Sequence, residues 1–88
     1  PNKLFDYLYA GKPVIYAIDS GKYKPVSDAG AGYEVTPENT DELVCTIEKL
    51  AAIPESDRKV MGENGRKYVK DLYDYKALTL KLEHILFE

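Results

Sequence analysis

The sequence predicts an α/β fold in which a few parallel strands are accompanied by several helices and the C-terminal part is almost wholly helical. Three observations predict it. The run Pro13-Val14-Ile15-Tyr16-Ala17-Ile18 is continuously apolar, β-branched and aromatic, the make-up of a strand buried on both faces. A second, shorter run, Tyr33-Glu34-Val35-Thr36, follows a glycine-rich break and ends at Pro37. From Asn39 onward, apolar residues recur at helical spacing to the end of the chain.

The elements follow in order. Pro1 to Gly11 reads as a short helix, with Leu4, Phe5 and Leu8 on one face and Gly11 as its stop. The first strand comes next, and Asp19-Ser20-Gly21 is turn chemistry. Residues from about Tyr23 to Ala29 suit a short helical turn, which Gly30-Ala31-Gly32 breaks before the second strand. Asn39 is placed to cap a helix, with Glu42 three positions on to reach back as in a capping box. Leu43, Ile47, Leu50 and Ala51 share its apolar face. A second helix is expected from Pro54 or Ser56 to Leu72, with Met61, Gly65, Tyr68 and Leu72 on one face. A glycine there costs roughly 1 kcal/mol against alanine, so Gly65 predicts close packing. A third helix is expected after Tyr73-Asp74, carrying Tyr75, Leu78, Leu82, Ile85 and Leu86.

Composition narrows the function. The chain has 88 residues, room for one small domain, and its 44% hydrophobic and 31% charged residues are ordinary for a globular protein. A net charge of −3, with lysines and arginines scattered among acids, argues against a grip on nucleic acid. The single cysteine, Cys45, allows no internal disulfide and fits a reducing cytoplasm. One cysteine and one histidine make a poor zinc set. Two short strands do not make a free-standing parallel sheet, because such a sheet needs further strands and helices on both faces. The chain also opens on Pro1 in mid-pattern. Both features lead to the expectation of a fragment, residues 1–88 forming part of a larger domain whose other strands precede Pro1.

The opening block, Pro1-Asn2-Lys3-Leu4-Phe5-Asp6-Tyr7-Leu8-Tyr9-Ala10-Gly11-Lys12-Pro13-Val14-Ile15, resembles the family 4 glycosyltransferases of the GT-B fold, the group 1 transferases. Among them it looks most like bacterial surface-polysaccharide and lipopolysaccharide enzymes. Their signature is a Glu, seven residues, a second Glu, then small residues and Gly-x-Pro-Val. The likeness continues through Gly30-Ala31-Gly32-Tyr33-Glu34-Val35, Pro37-Glu38-Asn39 and Met61-Gly62-Glu63-Asn64-Gly65-Arg66. Asp6 stands where the second Glu would, one methylene shorter, and the first Glu would precede Pro1. The resemblance implies the C-terminal, Rossmann-like nucleotide-sugar-binding domain of an enzyme that transfers a hexosyl group from a nucleoside-diphosphate sugar to an acceptor hydroxyl. It implies no bound metal or other cofactor, and an acceptor site in an N-terminal domain of the same parent chain. It also implies work in the cytoplasm, peripheral to the inner face of the membrane, and an inactive fragment.

By the same resemblance, Asp6 accepts hydrogen bonds from the donor ribose, a task suited to an acceptor-only carboxylate. Asn2 and Lys3 stand at a helix start, where free N–H groups and the helix dipole suit a diphosphate. The plainer alternative makes Asp6 an acid favoured by the dipole and Lys3 a solvated side chain. Gly30-x-Gly32 is not a dinucleotide loop, because it precedes a strand instead of joining a strand to a helix. His84 falls off the apolar stripe of the last helix and Cys45 lies opposite the Leu43-Ile47-Leu50 stripe, so neither is a catalytic group. The eight tyrosines read as packing residues. The Leu78-Leu82-Ile85 stripe suggests self-association. Two other classes compete: a sugar-nucleotide epimerase of the same fold, and a non-catalytic module whose helical face binds a protein partner.

Overall fold

The computed structural model describes residues 2–18, 21 and 23–87, with side chains described for residues 3–18, 21 and 23–79. Its elements in order are α1 (Asn2–Tyr9), β1 (Val14–Tyr16), α2 (Pro25–Ala29), β2 (Gly32–Glu34), α3 (Thr40–Ala52) and α4 (Glu55–Phe87). β1 and β2 pair in parallel, with Val14 opposite Gly32 and Tyr16 opposite Glu34. The expected helix-rich α/β fold with parallel strands is therefore the observed one. The link between the strands, which carries α2, has the length a parallel crossover needs.

The core lies on one face of this sheet. Leu4 and Leu8 of α1, Val26 of α2, Ala31 and Val69 of α4 form it, and Val14 and Tyr16 pack against it from β1. Alternation along the strands turns Ile15 and Tyr33 to the opposite face. There Lys49 of α3 sits with its ammonium 4.7 Å from the centre of the Tyr33 ring. β1 was expected to be buried on both faces, but all three of its residues are only half-buried. Among the described residues it has one neighbouring strand and a core on one face, which do not enclose it.

α1 ends as its sequence dictates. The Gly11 N–H donates to Leu8 O at 3.2 Å, and Gly11 takes φ +77°, in the left-handed region that disfavours a side chain. The expected turn before β2 is the one-turn helix α2, closed by Gly30 in the left-handed conformation. Gly30 and Gly32 thus serve a helix end and a strand, as the rejection of a phosphate loop required.

Two expectations about the helical half are corrected. No break occurs at Tyr73-Asp74. α4 runs unbroken for 33 residues, about 50 Å at 1.5 Å per residue, and accounts for most of the 54 Å long axis. No glycine or proline stands near 73–74 to stop it, and the i,i+4 pairs Lys67–Asp71 (2.7 Å) and Lys70–Asp74 (3.5 Å) carry the helix across. The stripe Leu43-Ile47-Leu50-Ala51 of α3 is also not buried: α3 has no buried residue, and Ile47 is 49% exposed. The tyrosines divide. Tyr16, Tyr33 and Tyr68 are half-buried, while Tyr7, Tyr9, Tyr23, Tyr73 and Tyr75 are exposed.

Gly65 meets its expectation. A Cβ there would lie 3.1 Å from Leu8 O and 3.3 Å from the Ala31 Cβ. Gly62, one turn earlier, is tighter still, since its Cβ would overlap Gly11 O. α4 therefore runs antiparallel to α1, with Gly62 against the end of α1, Gly65 against its last turn and Val69 against its middle. Pro1, Asp19, Ser20, His84 and Glu88 and the side chains of Asn2, Leu82, Ile85 and Leu86 lie outside the described residues or side chains. Leu78 is exposed.

Candidate functional site

α1 carries the residues singled out for ligand contact. Its buried face is Leu4 and Leu8, so residues near the opposite side face outward. Lys3 and Asp6 are both exposed, three positions apart on the helix surface. The fold therefore places them as neighbours, with the backbone of Asn2 at the first position of the helix. Among the described residues, neither the Lys3 nor the Asp6 side chain has a hydrogen-bond or ion-pair partner. Asp6 is a carboxylate with its full acceptor capacity open to water.

Asp6 also lines a cleft between α1 and α4. Phe5, Asp6 and Tyr9 form one wall, and Val69, Lys70, Tyr73 and Asp74 form the other, around a cavity of about 370 Å³. That is within the range of small-molecule sites. Phe5 packs against the core and Val69 belongs to it, so the floor is apolar and fixed. The Lys70 ammonium is 3.5 Å from Asp74, which leaves Asp6 as the unpaired carboxylate of the cleft. The Arg66 guanidinium donates to Tyr9 O at 3.0 Å and lies 5.4 Å from the centre of the Tyr9 ring. It satisfies a carbonyl at the end of α1 and covers one face of Tyr9.

Tyr73, Lys70 and Asp74 had no assigned part in the site. Periodicity showed no packing partner for α1, and the helix that carries Lys70 was expected to end at Leu72, short of Tyr73 and Asp74. The signal that could have found them was the spacing of Lys67, Asp71, Lys70 and Asp74, which favours a continuous helix.

Two other cavities have charged side chains that are already engaged within the fold. One of about 280 Å³ lies past the C-terminal ends of β1 and β2, lined by Ile18, Lys24, Glu34, Thr36 and Glu42 among others. Its carboxylates are already engaged. Glu34 accepts from the Val26 N–H at 2.9 Å, from the Ser27 N–H at 3.0 Å and from the Ser27 hydroxyl, so a strand residue caps α2. Glu42 accepts from the Thr36 N–H at 2.8 Å, and its own N–H donates to Asn39 Oδ1 at 3.0 Å. The Asn39 cap is as expected, while the Glu42 carboxylate accepts from the Thr36 N–H and from the Asn39 side-chain amide at 3.4 Å, and the Asn39 backbone N–H donates to Thr36 O. A cavity of about 520 Å³ lies at the other end of β1, with Lys12, Glu55, Arg58 and Lys59 on its walls. Arg58 is committed there to the carbonyls that close α3, at Leu50, Ala51 and Ile53.

One further tether crosses from the β1–α2 loop to α4. The hydroxyls of Tyr23 and Tyr68 are 3.2 Å apart. This hydrogen bond, together with partial burial, pushes the Tyr68 phenol up to about 12.

No family model and no solved structure matches the chain. A curated relative does. The alpha-1,3/1,6-mannosyltransferase ALG2 of Dictyostelium discoideum is 33% identical over 79 residues, which cover 90% of this chain. The chain is similar to part of a glycosyltransferase. It spans 18% of the length of that relative. The likeness supports a glycosyltransferase-like function, in keeping with the resemblance of the opening block. Among the described residues, no helix is long and apolar enough to cross a membrane.

Proposed function

We propose that this chain is the donor-binding part of a glycosyltransferase that moves a sugar from a nucleoside-diphosphate sugar to an acceptor hydroxyl. The observation that carries this reading is Asp6, an unpaired carboxylate on α1 at the mouth of a cleft of ligand size, in a chain similar over most of its length to a mannosyltransferase. Asp6 accepts the ribose hydroxyls, because an ionised carboxylate offers acceptors alone and can take two donors together. The first N–H groups of α1, at Asn2 and beyond, take the diphosphate with help from Lys3. Stabilising the charge that develops on the leaving diphosphate is the catalytic contribution of this segment.

In this reading residues 1–88 are a partial nucleotide-sugar-binding domain, inactive alone. A separate part of the parent chain holds the acceptor and the group that activates its hydroxyl. The parent builds surface glycans of the bacterial type. It works in the cytoplasm beside the inner membrane face and needs no resident metal.

Isothermal titration of the 88-residue chain with UDP- and GDP-linked sugars tests the donor site. The expected result is saturable binding that Asp6→Asn weakens about tenfold or more, since hydrogen bonds to a charged group are each worth about 1.5–3 kcal/mol. Equal affinity in Asp6→Asn would make Asp6 a plain helix charge and favour the non-catalytic module.

A further inference from the structure

We infer that Tyr73 of α4 is the platform on which the base of the bound nucleotide stacks, so that the α1–α4 cleft holds the whole nucleoside. This rests on the donor-binding reading and goes beyond it, because it gives α4 a part in choosing the ligand. The cleft has aromatic rings on both walls, Phe5 and Tyr9 from α1 and Tyr73 from α4. Their situations differ. Phe5 is occupied in packing on the core. One face of Tyr9 is covered by Arg66. Tyr73 is 61% exposed and lines the cleft.

The antiparallel packing supplies the spacing. Val69 lies against the middle of α1, so Tyr73, one turn further along α4, stands beside the N-terminal half of α1. Asp6 is on the facing wall, and about 6 Å of helix rise separates it from Asn2. A ribose held at Asp6 can therefore extend its 5′ phosphates toward the first turn of α1 and its base toward Tyr73. The ion pair between Lys70 and Asp74 leaves the α4 wall without net charge beside the ring. A neutral aromatic face next to one carboxylate suits an uncharged base and its ribose diol. A single stacking ring on a chain of net charge −3 suits one nucleotide and not a nucleic-acid strand.

The test compares GDP, UDP and ribose 5-phosphate as ligands of the 88-residue chain and its variants, with helix content checked by circular dichroism. Tyr73→Ala should weaken both nucleoside diphosphates about tenfold, the scale of one base–aromatic stack. It should leave ribose 5-phosphate unchanged, and Tyr73→Phe should keep wild-type affinity because the ring remains. Unchanged nucleotide affinity in Tyr73→Ala, or an equal loss for ribose 5-phosphate, overturns the platform. If Asp6→Asn still weakens all three ligands in that case, the donor site stands and only the role of Tyr73 falls. If the wild-type chain binds none of the three at millimolar concentration, both readings fall.

Discussion

Helices α1 and α3 flank the same small sheet, and they are held by different forces. α1 buries Leu4 and Leu8 almost completely, and Gly62 and Gly65 let the backbone of α4 close onto it. α3 buries nothing fully. It is held at its ends, by Asn39 and Glu42 at the start and by Arg58 on its last carbonyls, with Lys49 over Tyr33 along its length. Burial fixes a helix in position and rotation, because displacing it opens cavities. Terminal hydrogen bonds each contribute about 1 kcal/mol and leave the middle of the helix free to shift. The helix that presents Asp6 is the one fixed by burial. A binding group needs such a support, since geometry held to within a fraction of an ångström comes from packed neighbours.

The sharpest way to break this contrast is Gly62→Ala. On an open helix the change would stabilise by roughly 1 kcal/mol. Here the added methyl overlaps Gly11 O and forces α1 and α4 apart. The expected cost is about 3 kcal/mol, read as a lower urea midpoint. A stabilised Gly62→Ala would mean that the two helices are not in close contact. Asn39→Ala should cost about 1 kcal/mol. Its effect should be confined to α3, with faster amide exchange over Thr40–Ala52 and no change over Asn2–Tyr9. Faster exchange in both helices would show that α3 supports α1 after all. The smallest effect is expected for Ile47→Gln on the exposed face of α3, within about 0.5 kcal/mol. A loss of 2 kcal/mol or more would show that this face is covered in solution.

The same contrast separates what could be read in the sequence from what could not. The end of α1 at Gly11, the strand at Val14, the Gly30 break and the Asn39 cap are decided within a few residues of themselves, and each was legible. The close approach at Gly65 was legible because a glycine inside an apolar stripe weakens its helix and is tolerated chiefly where another backbone comes near. Its partner Gly62 was not, since what requires it is Gly11, 51 positions away. Glu34 as the cap of α2 was hidden for the same reason: a strand supplies what the residue before the helix lacks. The exposure of α3 reversed an expectation drawn from periodicity alone. A stripe shows which face can be buried and does not show what is present to bury it. At the site, Asp6 and Lys3 came from the sequence. The cleft did not, because nothing local shows that α4 packs against α1, and Tyr73 and Asp74 of its second wall stand where the helix was expected to end.

The most direct test of the central claim is to titrate GDP into the 15N-labelled 88-residue chain and map the amide shifts. Nucleotide binding in the α1–α4 cleft predicts saturable shifts over Asn2–Tyr9 and at Lys70–Asp74, with Thr40–Ala52 unmoved. Shifts concentrated in α3, or none anywhere at millimolar GDP, would contradict it.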